Sequence, residues 1–227
     1  MAGKLSIVAT PIGNLEDVTL RALRTFKEAE YVLCEDTRVT GKLTARHGIK
    51  ASLKRYDAHA SERVHKAILA DLASGKHIAL ATDAGTPGIS DPGVFLVARV
   101  RRELPQVTIE AIPGPSAVTA AFSIAGIPGN AFTFLGFAPQ KKGRATFFKR
   151  LAAYEVPVIF YESPHRIAKA LESLAAELPT DFRVTVAREL TKLHEEVIAG
   201  SPAEVRDYFT EHPDHVRGEF VIIVSRG

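Results

Sequence analysis

The chain has 227 residues, which is enough for one large domain or two small ones. Its 46% hydrophobic and 24% charged residues are typical of a soluble globular protein that needs no disulfide or metal to support its core. The single cysteine, Cys34, excludes an internal disulfide and a cysteine-based zinc site, and the net charge of +3 permits a nucleic-acid partner without requiring one.

No charged-then-apolar leader opens the sequence, and no apolar run approaches the roughly 18 residues of a membrane span. We therefore expect a cytoplasmic protein.

Short apolar runs alternate with amphipathic stretches along the chain, and this alternation predicts an α/β protein. We expect strands at residues 5–9, 31–35, 77–82, 107–112, 131–136, 156–161, 182–188, 195–199 and 219–225. The strands after residue 182 are crowded together, which indicates a mixed sheet with antiparallel pairs. We expect an N-terminal α/β domain of residues 1–114 and a C-terminal α/β domain of residues 115–227.

Three helices are predicted from apolar spacing and capping residues. The first has a serine N-cap, apolar residues four apart and a glycine stop: Ser61, Val64, Ile68, Leu72 and Gly75. The second has a Ser-Pro start followed by apolar residues: Ser163, Pro164, Ile167, Leu171 and Leu174. The third begins at Pro202 and runs through Phe209.

Two loops rich in glycine and proline, residues 10–17 and 83–93, each follow a predicted strand. Glycine and proline at such turns let the backbone approach a ligand and aim free N–H groups at it. Ligands bind at the carboxyl ends of strands in open α/β sheets. The two loops, together with a third at residues 113–117, predict a cofactor site. The alternative is that all three are purely structural turns.

Several charged segments are candidates for chemistry. The strand 31–35 ends in Glu35, Asp36 and Arg38, which either cap a helix or orient and deprotonate a substrate hydroxyl. In residues 188–196, a lysine among carboxylates indicates either a solvated hairpin or a residue tuned for base catalysis.

Cations also point to an anionic partner. His165 and Arg166 lie at a predicted helix start, where the helix dipole disfavours cations, so a phosphate contact is a candidate role. The basic residues Lys141, Lys142 and Arg144 are followed by two phenylalanines, as in nucleic-acid contacts, although a solvated loop is the default interpretation. The histidines show no metal-ligand spacing, so we expect no metal.

With these segments in hand, the chain resembles the ribosomal RNA small subunit methyltransferase I family, a branch of the tetrapyrrole methylase superfamily. The matching segments run in order over nearly the whole chain: residues 9–17, 19–23, 34–38, 83–93, 112–117, 160–166, 188–192 and 218–221. Relatives that methylate corrin rings usually carry Gly-Asp-Pro where this chain has Gly85-Thr86-Pro87. Family members usually continue into a small helical segment beyond the last strand.

The resemblance implies two α/β domains with S-adenosylmethionine in the cleft between them. It also implies methylation of the ribose 2′-oxygen of a decoding-centre cytidine in 16S rRNA by a homodimer. The positions that match the cofactor's surroundings are Pro11, Gly13, Asp83, Gly85, Thr86, Pro87, Ile89, Ser90, Ser116, Ala117 and Glu162.

A ribose hydroxyl is a poor nucleophile, so a base or a stabiliser of the developing alkoxide is expected. We assign that role to Lys192 or Glu189, with Asp36 and Arg38 orienting the ribose. The expected RNA contacts are Lys141, Lys142, Arg144, His165 and Arg166.

Three other functions stay open at this point. They are a methyltransferase acting on a tetrapyrrole or another small molecule, a nucleotide hydrolase, and a non-catalytic rRNA-binding module. The hydrolase is disfavoured because the chain has no Gly-Lys-Ser/Thr phosphate loop.

Overall fold

The structure is a computed structural model that describes residues 3–89, 91 and 93–227. The chain divides into two compact units, one ending at Ser116 and the other beginning at Ala117. Each unit contains one five-stranded sheet with helices packed against it. Among the described residues, no helix is both long and apolar enough to cross a membrane.

Unit 1 is a parallel α/β sheet. Its strands, in spatial order β3-β2-β4-β1-β5, are β1 (Lys4–Val8), β2 (Tyr31–Cys34), β3 (Leu53–Arg55), β4 (His77–Ala81) and β5 (Thr108–Ile112). Its helices are α1 (Leu20–Glu28), α2 (Thr37–Arg46), α3 (Glu62–Ala73) and α4 (Gly93–Glu103). Because all the strand pairs are parallel, every carboxyl end lies at the same edge of the sheet.

Apolar residues of unit 1 pack on both faces of its sheet. Leu5 and Leu80 belong to one buried cluster, whereas Val8 and Ala79 belong to another. This two-sided burial explains why its central strands read as continuous apolar runs. β3 was not predicted, because it is a short edge strand with two exposed cations, Lys54 and Arg55, and has no apolar run.

Unit 2 contains a mixed sheet, which confirms the predicted antiparallel pairs. Its strands, in spatial order β6-β7-β10-β8-β9, are β6 (Thr133–Phe137), β7 (Val158–Glu162), β8 (Phe182–Arg188), β9 (Glu196–Gly200) and β10 (Phe220–Arg226). Only β6 and β7 pair in parallel. The helices are α5 (Ala117–Ile124), α6 (Arg144–Leu151), α7 (Ile167–Glu177) and α8 (Pro202–Glu211). One sheet face packs with α6, α7 and α8 in the main core.

Two of the three predicted helix starts are confirmed. The Ser61 hydroxyl accepts the Val64 N–H at the start of α3, and Ser201 and Glu204 form a capping box at the start of α8. The Ser163 side-chain cap is wrong. α7 begins at Ile167 after a turn, and the Ser163 carbonyl, not its hydroxyl, accepts the first N–H groups.

Candidate active site

The loops after β1 and β4 are joined by two backbone hydrogen bonds. The Thr10 N–H donates to the Gly85 carbonyl at 2.9 Å, and the Gly85 N–H donates to the Thr10 carbonyl at 3.1 Å. Gly85 has φ +83°, which favours glycine, and an added Cβ would lie 3.4 Å from Ile12 Cγ2. The two predicted loops therefore meet at the carboxyl edge of the unit 1 sheet.

The third loop joins the same edge. The Thr86 hydroxyl donates to the Pro115 carbonyl at 3.0 Å. Gly114 lies so close to the end of β1 that an added Cβ would stand 3.0 Å from the Ala9 Cβ. The loop after β2 also joins this edge, because the Asp36 N–H donates to the Asp83 carboxylate at 3.0 Å. We call the loops after β1, β2, β4 and β5 the unit 1 rim; it brings together the predicted positions Pro11, Gly13, Asp83, Gly85, Thr86, Pro87, Ile89 and Ser116. Ser90 lies outside the described residues.

The second loop is closed by a carboxylate of its own. Asp91 accepts the backbone N–H groups of Gly88, of Ile89 at 3.0 Å and of Gly93 at 2.7 Å. The expectation that this loop presents free N–H groups to a ligand is wrong for these three residues, because Asp91 already binds them. Ile89 nevertheless presents an exposed side chain.

Asp36 and Arg38 bind each other at the end of β2. The Asp36 carboxylate caps α2 by accepting the Arg38 N–H at 2.8 Å, and the Arg38 guanidinium donates to both its oxygens. These hydrogen bonds lower the pKa of Asp36 to about 2. The helix-cap interpretation is thus confirmed for Asp36, and the role of Asp36 and Arg38 in orienting a ribose stays a prediction.

Glu35 has different partners from its neighbour Asp36, although the sequence analysis grouped the two carboxylates together. Its carboxylate accepts the Thr82 hydroxyl at 2.8 Å, and no cation pairs with it in the part of the chain that the structure describes. Burial raises the pKa of Glu35, the Thr82 hydrogen bond opposes that rise, and the charge of Asp83 adds to it. Glu35 is therefore a half-buried carboxylate of the rim that has no compensating cation among the described residues.

Glu162, at the end of β7, holds two arginines. Its fully buried carboxylate pairs with Arg144 and Arg166, each at 2.7 Å, and accepts the Ser163 N–H at 2.8 Å. Protein groups thus bind both carboxylate oxygens of Glu162, and the predicted place of Glu162 beside a cofactor stays a prediction. Arg144 and Arg166 are in turn tied to Glu162, which explains a cation beside the start of α7.

The remaining predicted RNA contacts are accessible. Lys141, Lys142 and His165 are exposed. The phenylalanines that follow the lysines are not available for stacking, since Phe148 is buried and Phe147 packs edge-on against Phe160 in the core. The predicted interleaving of cations and aromatic rings is wrong for these two rings.

The segment after β8 adopts an uncommon backbone. Glu189 and Thr191 have φ values of +52° and +64°, the only positive values outside glycine among the described residues. The Glu189 carboxylate accepts the Glu219 N–H at 2.9 Å and the Lys192 ammonium at 2.9 Å. An added Cβ on Gly218 would overlap that carboxylate, so glycine leaves the room that Glu189 needs.

Lys192 is held as a cation. Burial works to lower its pKa, but its hydrogen bonds to Glu189 and Glu219 outweigh burial and leave that pKa above the ordinary value. A lysine with a raised pKa stabilises negative charge better than it removes protons.

Among the described residues, no group of three or more His, Cys, Asp or Glu side chains is arranged to hold a metal ion.

The Glu35→Gln variant tests whether folding raises the pKa of Glu35. A group whose pKa is raised by folding disfavours the native state where it is ionised, so the variant should unfold with a larger free energy than the parent at pH 7. This gain in the free energy of unfolding should vanish below the unfolded-state pKa of a glutamate, where Glu35 is protonated in both states. Urea denaturation of the variant and the parent at several pH values measures the difference.

Glu110→Gln is the matched control. The Ser6 hydroxyl, at 2.6 Å, and Lys4 lower the pKa of Glu110, so this variant should lose stability at pH 7, with the loss shrinking as pH falls through the folded-state pKa. A Glu35→Gln variant that is also less stable than the parent at pH 7 would contradict the conclusion that Glu35 is a carboxylate with a raised pKa and no compensating cation.

Comparisons with known proteins match this architecture. The family model for tetrapyrrole (corrin/porphyrin) methylases matches residues 4–206. The ribosomal RNA small subunit methyltransferase I of Thermotoga maritima is 41% identical over 98% of both chains. The protein of that name from Xylella fastidiosa is 44% identical over 98% of this chain and 81% of its own.

Solved structures show the same fold at low sequence identity. The methyltransferase CobJ has a TM-score of 0.72 at 18% identity, covering 100% of this chain and 95% of its own. A uroporphyrin-III C-methyltransferase from Thermus thermophilus, complexed with S-adenosyl homocysteine, has a TM-score of 0.63 at 19% identity. The match covers 98% of this chain and 97% of that one. The extent of the family match and the identity to the curated relatives establish that this chain belongs to the tetrapyrrole (corrin/porphyrin) methylase family.

Proposed function

We propose that this protein is an S-adenosylmethionine-dependent methyltransferase that methylates the ribose 2′-oxygen of a decoding-centre cytidine in 16S rRNA. The observation that supports this most is the 41% identity, over 98% of both chains, to a relative named for rRNA methylation. We further propose that it works as a cytoplasmic homodimer on the small ribosomal subunit.

The unit 1 rim fits such a cofactor. Gly85 and Gly114 keep side chains out of the places where the loops approach each other. Glu35, with no compensating cation, supplies a negative charge that complements a positively charged sulfur. S-adenosylmethionine supplies an electrophilic methyl group on that sulfur when bound. The residues proposed to surround it are Pro11, Gly13, Asp83, Gly85, Thr86, Pro87, Ile89, Ser90, Ser116, Ala117 and Glu162.

The reaction needs a ribose hydroxyl to be aligned and its developing negative charge to be stabilised. Lys192 is suited to the second task, because Glu189 and Glu219 hold its ammonium in place and keep it protonated. Glu189 then acts as the residue that positions Lys192. Asp36 and Arg38 are proposed to orient the ribose through the exposed guanidinium.

The cations of unit 2 are proposed to bind the RNA backbone. Lys141, Lys142 and His165 are exposed, whereas Arg144 and Arg166 fix the local backbone through Glu162. Phosphate contacts of this kind give affinity without sequence selectivity.

A small-molecule methyltransferase is the second candidate. Solved structures of cobalamin and uroporphyrin enzymes share the fold, but identities near 20% carry no substrate information. Methylation of ribosomal subunits compared with corrinoid substrates separates the two candidates.

Isothermal titration calorimetry tests the cofactor. S-adenosylmethionine and its demethylated product should both bind, and ATP should not. Thr86→Val should bind the cofactor about two- to tenfold more weakly, because the hydrogen bond that joins the loops after β4 and β5 is lost. Thr146→Val, at an exposed site on α6, is the matched control. Absence of binding by both sulfur compounds would contradict the methyltransferase proposal.

Substitutions of Lys192 distinguish a cation from a base. Lys192→Ala should lower kcat by about 10²- to 10³-fold with little change in cofactor Kd, whereas Lys192→Arg should keep most of the activity because the charge remains. Lys169→Ala, an exposed lysine on α7, is the control. An arginine variant as inactive as the alanine variant, or equal losses in kcat and cofactor affinity, would overturn this role.

A further inference from the structure

An irregularity in β6 turns two aromatic side chains to the same face of the unit 2 sheet. Phe134 pairs with Ile159 and Phe137 pairs with Tyr161, so β6 has one more residue than β7 between these pairs. Gly136, inside the irregularity, has φ +67°. Without the extra residue, Phe134 and Phe137 would point to opposite faces, because side chains alternate along a strand.

Phe134, Phe137 and Tyr161 form an aromatic patch on that face. The Tyr161 ring centroid lies 4.9 Å from that of Phe134 and 5.2 Å from that of Phe137, and both contacts are edge-on. Phe137 is 57% exposed, whereas Phe134 and Tyr161 are half-buried. Phe160, which precedes Tyr161 in β7 and points to the opposite face, belongs to the core formed with α6, α7 and α8. The patch therefore faces away from that core.

The loop that carries Lys141 and Lys142 is fastened beside this patch. Arg144 binds Glu162, which directly follows Tyr161, and donates to the carbonyl of Pro139, two residues after Phe137. Both ends of the segment between Pro139 and Arg144 are therefore anchored at the carboxyl ends of β6 and β7. No ion pair involves Lys141 or Lys142 among residues 3–89, 91 and 93–227.

We propose that Phe137 is a stacking platform for an unpaired nucleobase, with Lys141 and Lys142 binding the phosphates next to that base. The inference rests on the proposed RNA substrate and names a site for it. A flat exposed ring on a strand, beside cations without an ion-pair partner, has the chemistry of single-stranded RNA recognition. A two-fold contact of the patch with a second copy would instead bring the like-charged lysines of both copies together.

Tryptophan substitution gives a direct reporter, because the chain contains no tryptophan. Phe137→Trp should bind an unstructured oligocytidylate of roughly a dozen nucleotides as the parent does, with quenching of its fluorescence on stacking. Phe95→Trp, at a 67% exposed site on α4, should bind equally and show no quenching. Phe137→Ala should bind the oligomer between about 5- and 100-fold more weakly.

Two further readouts separate stacking from charge. The loss in Phe137→Ala should disappear with an abasic oligomer of the same length, since its phosphates remain and its bases do not. The Lys141→Ala/Lys142→Ala variant should reduce the slope of log Kd against log salt by about 1.4, at about 0.7 for each phosphate contact. Phe137→Ala should leave that slope unchanged.

If fluorescence anisotropy shows that Phe137→Trp binds RNA but its tryptophan is not quenched, the stacking site is overturned and the proposed function still stands. A parent protein that binds no oligomer and no 16S rRNA would overturn both. Quenching that depends on protein concentration without RNA, together with a changed oligomeric state of Phe137→Ala in light scattering, would show that the patch is an interface between copies.

Discussion

The two backbone hydrogen bonds between Thr10 and Gly85 hold together the loops on which the unit 1 rim is built. Gly85 forms them with a φ of +83°, a left-handed conformation that favours glycine. The loop after β5 then joins through the Thr86 hydrogen bond to Pro115. Because the sheet is parallel, its carboxyl ends supply these loops at one edge, where two backbone hydrogen bonds and the Thr86 hydroxyl link them.

Carboxylates do different work in the two units. In unit 2, Glu162 and Glu189 bind cations, and in doing so they orient Arg144 and Lys192. In unit 1, burial raises the pKa of Glu35, and no cation among the described residues compensates its carboxylate. An arrangement that fixes cations in one unit and leaves negative charge at the rim of the other suits an anionic RNA and a positively charged methyl donor.

Periodicity and capping chemistry made most of the fold predictable, because they depend on neighbouring residues. The Ser61 cap and the crowded strands after residue 182 are examples. The edge strand β3 was missed, since its pairing depends on β2 and not on its own composition. Sequence left open whether Asp36 caps a helix, and it could not show that Glu35 accepts the Thr82 hydroxyl or that Asp91 closes its own loop, because these contacts depend on the backbone conformation. The extra residue in β6 was hidden in the same way.

The most direct test is transfer of labelled methyl groups from S-adenosylmethionine to small ribosomal subunits, followed by alkaline hydrolysis of the 16S rRNA. A 2′-O-methyl group protects the adjacent phosphodiester, because alkaline cleavage needs the free hydroxyl. The account predicts label in one alkali-resistant dinucleotide that begins with cytidine. Label in alkali-labile mononucleotides, or label in a corrinoid acceptor and none in RNA, would contradict it.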